Sequence, residues 1–231
     1  MIRILCIDTA TDICSVALSI NGEPTDSLEA TDDKSHARLI SVLIKKLLSQ
    51  NQLTTADLHA VAVSEGPGSY TGLRIGVSAA KGICYAKKIP LIAISTLESM
   101  AAGFIKTHSD IQQDSILIPT LDARRMEIYY ATFTKNLKQQ SKDKPLVVNE
   151  DTFQEFKNES CVIIMGSGAH KCKATLRLTN AVYFSEAINK AKYMTAIANE
   201  QYKKQNFEDV AYFEPAYLKP FLATKSKKNL L

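Results

Sequence analysis

Ser64-Glu65-Gly66-Pro67-Gly68-Ser69-Tyr70-Thr71-Gly72-Leu73-Arg74-Ile75-Gly76 is the stretch around which the rest of the 231-residue chain is organised. It follows the apolar, β-branched run Ala60-Val61-Ala62-Val63 and leads into a segment with helical character as far as about Lys87. Strand, glycine turn and helix in that order direct free backbone N–H groups, and the positive end of a helix dipole, toward an anion. Gly66 and Gly68 allow close approaches that a Cβ would block, and Pro67 stiffens the turn between them. Inside the helix, Gly72, Gly76 and Ala80 recur at four-residue spacing. Such a stripe lowers helix stability by about 1 kcal/mol per glycine, so it predicts another backbone packed very near. A plain tight turn before a core helix is the alternative reading.

Working outward, Ile2–Ile7 and Cys14–Ile20 are β-rich runs, and Asn21-Gly22 signals a hairpin into a third, more polar strand ending near Leu28. A helix is expected from about Lys34 to Gln50. Its apolar residues Ala37, Leu39, Ile40, Leu43, Ile44, Leu47 and Leu48 cover about half the wheel, wider than the ~100° stripe that one core contact requires. After the glycine turn and its helix come a buried strand, Pro90–Ile94, and a helix through Ile105 capped by Ser95 or Thr96. Residues 106–114 are polar and unpatterned, which places a domain junction there and divides the chain into 1–105 and 106–231. In the second part, Ile116–Leu121, Glu127–Phe133 and Leu146–Asn149 read as strands, with a lysine-rich loop before the third. A short helix at Thr152–Lys157, a strand at Cys161–Met165 ending in Gly166-Ser167-Gly168, a weak helix, a strand at Ala181–Phe184 and a helix from about Ala187 to Lys204 follow. Both parts therefore read β-β-β-α-β-α-β-α, an α/β fold of duplicated halves with the second shortened, the last helix free to pack back on the first half. Residues 222–231 read as a flexible tail.

Composition narrows the class. Apolar content of 45%, charged content of 23% and a net charge of +4 describe an ordinary globular protein without an arginine-rich nucleic-acid patch. Five cysteines, Cys6, Cys14, Cys84, Cys161 and Cys172, form no C-x-x-C pair and suit reduced thiols in the cytoplasm. No signal peptide and no membrane span are expected. Four scattered histidines, His36, His59, His108 and His170, show no metal-ligand spacing, and no G-x-S-x-G elbow occurs. Asp8 and Thr9, at the end of the first strand, together with Gly66, Gly68 and Ser69, are the candidate phosphate contacts. Turn capping by Asp8 explains that residue equally well. In Asp122-Ala123-Arg124-Arg125 two guanidiniums on a turn, Arg124 above all, could clamp an anion; a hairpin turn with solvated arginines is the alternative.

Together, Ile4-Leu5-Cys6-Ile7-Asp8-Thr9-Ala10, the Glu65–Gly76 string, Leu121-Asp122-Ala123-Arg124 and Pro215-Ala216-Tyr217-Leu218-Lys219 resemble the TsaB (YeaZ) family over nearly the whole chain. The resemblance implies an actin/sugar-kinase/Hsp70-like (RNase H-like) fold and a role in forming N6-threonylcarbamoyladenosine (t6A) on tRNA. The catalytic relative TsaD carries H-x-x-x-H, a metal-ligating pair, where this chain has Thr96-Leu97-Glu98-Ser99-Met100. Neither a threonine hydroxyl nor a thioether replaces two imidazoles. The resemblance therefore implies a non-catalytic subunit with no metal site, acting with TsaD and the ATPase TsaE, a homodimer when alone, touching tRNA only indirectly. It further implies a partner surface on the first two long helices, comprising His36, Ile40, Leu43, Ile44, Leu47, Gly72, Leu73, Gly76, Val77 and Ala80, with ATP or ADP at the interface rather than a cofactor of its own. Gly76→Leu is accordingly expected to block docking and spare the fold. An active metal-dependent member (glycoprotease-like) and a small-molecule kinase of the same fold are the competing readings.

Overall fold

A computed structural model describes residues 1–31, 36–186 and 189–219. Strands β1 (Arg3–Asp8), β2 (Cys14–Ile20) and β3 (Glu23–Ala30) form an antiparallel meander. The hairpin between β2 and β3 turns at Asn21 and Gly22, both left-handed, φ 52° and 96°. Helix α1 (His36–Gln50) leads to β4 (Ala60–Gly66), α2 (Tyr70–Lys87), β5 (Leu91–Ser95) and α3 (Thr96–Thr107). Strands β4 and β5 join β1 in parallel, giving the order β3-β2-β1-β4-β5. The chain then repeats the pattern with β6 (Ile116–Asp122), β7 (Glu127–Thr134), β8 (Gln139–Val147), β9 (Val162–Met165), α4 (Ala169–Thr175), β10 (Ala181–Phe184) and α5 (Thr195–Lys203). The second sheet runs β10-β9-β6-β7-β8. In both sheets the first strand is central, flanked by the second and third on one side and the fourth and fifth on the other. That is the duplicated α/β architecture expected from the sequence.

Strand alternation divides each sheet between two layers of core. On the first sheet, Leu5, Ile7, Val61 and Val63 face Ile40, Ile44 and Leu47 of α1 and Val77 and Ala80 of α2. The opposite face, Ile4, Cys6, Ala60 and Ala62, packs on Met194, Ile197 and Ala198, more than thirty residues before the C-terminus. On the second sheet, Leu117, Ala131, Phe133 and Ile163 receive Leu97, Met100 and Phe104 of α3. Helix α3 thus follows the first sheet but covers the second, while α5 follows the second and covers the first.

Three sequence expectations change. The lysine-rich stretch before Leu146 is not a loop: β8 already starts at Gln139 and pairs with β7 through Thr132 and Ser141. It is an edge strand with mostly exposed or half-buried side chains, so it lacks the apolar alternation by which strands are recognised. The helix expected at Thr152–Lys157 is a single 3-10 turn, Gln154–Phe156, preceded by Phe153 in the left-handed region (φ 67°) with its ring buried. The last helix is shorter than expected. Residues Ala191–Tyr193 form a 3-10 turn held by the Ala191 N–H donating to Ser15 Oγ at 2.9 Å, and the α-helix begins at Thr195. The expected start of α1 at Lys34, the start of the last helix at Ala187 and the tail 222–231 lie outside the described residues.

Candidate functional site

The glycine turn is built against its own chain. Gly66 closes β4 with φ 120°, and Ser69 caps α2, its side chain accepting from the Gly72 N–H at 3.3 Å. The Ser69 N–H donates to the Ala10 carbonyl at 2.7 Å, and Thr9 Oγ1 donates to the Gly72 carbonyl at 2.7 Å. A Cβ at Gly68 would collide with the Ala10 carbonyl, one at Gly72 with the Thr9 carbonyl and one at Gly76 with Thr9 Oγ1. The backbone that the small-residue stripe was expected to admit is therefore the β1–β2 turn. The same contacts describe the residues of the phosphate reading. Asp8 and Thr9 are fully buried, Ala10 lies against Gly68, and the Ser69 N–H is already taken by the Ala10 carbonyl. Arg124 lies elsewhere, on the turn between β6 and β7. Burial pushes the Asp8 carboxyl up, and its Oδ1 accepts the Ala10 N–H at 3.0 Å.

The ten residues assigned to a partner surface divide differently from the expectation. Ile40, Ile44, Leu47, Leu73, Val77 and Ala80 are at most 6% exposed in the chain's own fold. Gly72 and Gly76 are buried against Thr9, and His36 is buried with Nε2 3.3 Å from the Asp12 carbonyl; Leu43 is half-buried. The wide apolar arc of α1 is needed for its own core, because the helix packs on both the sheet and α2. What α1 and α2 leave open is the groove between their outer sides. It has a volume of about 670 Å³, with Ile44, Leu48 and Leu53 on one side and Ala79, Gly82 and Ile83 on the other. A second hollow of about 600 Å³ adjoins the α2 N-terminus beside Ala37, Arg74 and Ile75. Ser78, Gly82 and Ala86 recur along this open side at four-residue spacing, and a Cβ on Gly82 would meet nothing within 4 Å. The sequence signal for this second stripe was the same as for the first. Only the packing shows which of the two faces outward.

A strap from the end of the chain flanks the site. The Ala216 N–H donates to the Glu65 carbonyl at 2.8 Å, and Lys81 Nζ donates to the Ala211 and Phe213 carbonyls at 3.1 and 2.9 Å. Arg74 Nε reaches Tyr217 Oη at 3.0 Å, with its guanidinium 4.2 Å from the Tyr70 ring centroid. Under the strap, burial and then the carboxylates of Asp143, Glu208 and Glu98 raise the Glu65 carboxyl to about 7. Burial likewise raises Asp143, whose Oδ2 accepts from Ser95 Oγ at 2.5 Å.

Thr96 and Met100 are fully buried, and Met100 packs on the second sheet. Among the described residues no group of three or more His, Cys, Asp or Glu is placed to hold a metal ion. Burial pushes the thiols of Cys6, Cys14, Cys84 and Cys172 up, so none is poised as a thiolate nucleophile. No helix of the described residues is long and apolar enough to cross a membrane.

A family model described as "TsaD: tRNA N6-adenosine threonylcarbamoyltransferase" matches residues 30–227. The TsaB protein of Haemophilus influenzae is 26% identical over 229 residues, 94% of both chains. The TsaB protein of Escherichia coli is 34% identical over 134 residues, 58% of this chain and about half (56%) of that relative. A solved structure of YeaZ from Pseudomonas aeruginosa superposes with a TM-score of 0.79 at 21% identity, covering 94% of this chain and all of that one. Another Pseudomonas aeruginosa structure, described as similar to peptidase YeaZ, reaches a TM-score of 0.85 at 21% identity over 95% of this chain and all of that one. With the family model covering most of the chain and two solved structures sharing the whole fold, the chain belongs to the TsaD family, and its relatives there are the TsaB (YeaZ) proteins.

Proposed function

We propose that this chain is a non-catalytic subunit in the formation of t6A on tRNA, which acts by docking a TsaD protein along the groove between α1 and α2. The observation that carries the reading is that groove: an open, apolar channel about 670 Å³ in volume, floored by core residues and edged by Ser78, Gly82 and Ala86. Small residues at that spacing let a second pair of helices approach closely. The lack of an imidazole pair at Thr96 and Met100 supports an activating role over a catalytic one. TsaE joins as the ATPase, ATP or ADP binds at the interface between the two related chains, and the same groove pairs two copies of this chain when the partner is missing. The deciding experiment is reconstitution of threonylcarbamoyl transfer to tRNA from TsaD, TsaE and this chain. Transfer should require the chain and should be lost with Gly82→Leu, which fills the groove from an exposed position. Undiminished transfer without the chain, or with that variant, ends the reading.

A further inference from the structure

The turn between β6 and β7 has no part in the docking face. Its Arg124 and Arg125 are both exposed and both left-handed, φ 67° and 50°. Glycine and asparagine fill consecutive left-handed positions at little cost, and arginine does not. Asp122 pins the turn: its Oδ1 accepts the Arg124 N–H at 2.6 Å and Lys171 Nζ at 2.6 Å. Lys171 also donates to the Glu127 carbonyl at 3.0 Å. The two neighbouring carboxylates have cationic partners already, Asp122 in Lys171 and Glu127 in Lys219. His170 Nε2 stands a further 3.8 Å from Asp122. Neither Arg124 nor Arg125 takes part in any ion pair found among the described residues. Four cations thus stand against two carboxylates, and the two arginines left over are consecutive residues at a braced loop tip.

We propose that the Arg124–Arg125 turn is a contact site for the phosphate backbone of RNA. The proposal deepens the function given above, rests on it for naming tRNA as that RNA, and replaces the indirect tRNA contact that the family resemblance implies with a direct one. A guanidinium presents a planar fork that matches phosphate oxygens two at a time. Two forks on an exposed tip fit successive phosphates of a polyanion, which position a nucleic acid without reading its bases. Asp122 is a positioning residue: it fixes the turn and takes up the Lys171 charge, leaving the arginines for the ligand.

The test measures binding of a fluorescently labelled, unmodified tRNA transcript by anisotropy across a salt series, on the purified chain and on its complex with TsaD, with complex formation followed separately by size exclusion. Arg124→Ala/Arg125→Ala should weaken tRNA binding about tenfold at low salt and lower the salt slope by about 2, the loss of two phosphate contacts. Lys203→Ala/Lys204→Ala, removing equal charge from the end of α5, should change binding less than twofold. Arg124→Asn/Arg125→Gly should bind as poorly as the alanine pair yet melt no lower than the unmodified chain, separating lost contact from lost fold. Unchanged affinity and slope for both arginine variants, or no tRNA binding by chain and complex alike, overturns the proposal. An arginine variant that no longer co-elutes with TsaD also overturns it, by assigning the turn to an acidic protein surface. If the unmodified chain itself fails to co-elute with TsaD, the docking function fails, and tRNA binding by the chain alone decides the proposal.

Discussion

At the scale of single residues, two glycines from stripes of the same four-residue spacing have opposite fates. A side chain at Gly76 would run into Thr9 Oγ1, and Thr9 cannot yield without releasing its hydrogen bond to Gly72. Gly76→Leu therefore tests the core and not the docking face, contrary to the expectation from the sequence. It should destabilise the chain by at least about 1–3 kcal/mol, seen as a lower denaturation midpoint in urea. Gly82 is the reverse case: it lies within α2 with open space where a Cβ would go. Gly82→Ala should stabilise the chain by about 0.5–1 kcal/mol in the same assay, because alanine removes backbone entropy from the unfolded state at no steric cost. A midpoint that rises for Gly76→Leu, or falls for Gly82→Ala, would mean that the stripes are misassigned.

At the scale of elements, the strap over α2 and the carboxylates beneath it set the local stability. Lys81 Nζ is donor to two strap carbonyls, so Lys81→Met leaves both without their cation. Residues 208–217 should then exchange amide hydrogens faster and be cut more readily by a protease, while α2 itself remains protected. Glu65 gives the pH dependence. Its carboxyl titrates near 7 in the fold against about 4.5 when unfolded, so over that window the folded chain holds the proton more tightly. Below pH 4.5 both states are protonated and nothing is lost; between 4.5 and 7 stability falls as pH rises, and above 7 the full cost applies. Glu65→Gln should therefore be more stable than the unmodified chain by about 1–3 kcal/mol at pH 8 and by little at pH 4.5. Equal midpoint shifts at the two pH values would show that the fold does not raise the Glu65 carboxyl.

At the scale of the whole molecule, the halves are interlocked by exchanged helices. Helix α3 fills the second sheet's core with Leu97, Met100 and Phe104, each at most 1% exposed, and the residues around α5 close the first sheet with Met194 and Ala198. Burial of each large side chain contributes about 1.5–3 kcal/mol, so neither half retains its core if the other unfolds. Thermal unfolding should be a single transition, with calorimetric and van't Hoff enthalpies equal. Two resolved transitions would show that the halves fold independently.

What the sequence determined by itself was local and periodic. The Asn21-Gly22 hairpin, a cap at Ser95 or Thr96 and the apolar runs of both central strands are written in neighbouring residues, and the repeated order of elements follows from them. The edge strand β8 was hidden, because a strand that buries neither face carries no alternation to read. Which neighbour each surface meets came from long-range packing alone. Helical periodicity names a face but not its neighbour: Gly72 and Gly76 meet Thr9, whereas Ser78, Gly82 and Ala86 meet solvent, although both stripes share one spacing. Burial is a property of the assembled chain, set by contacts between residues distant in sequence, and no pattern within one helix contains it.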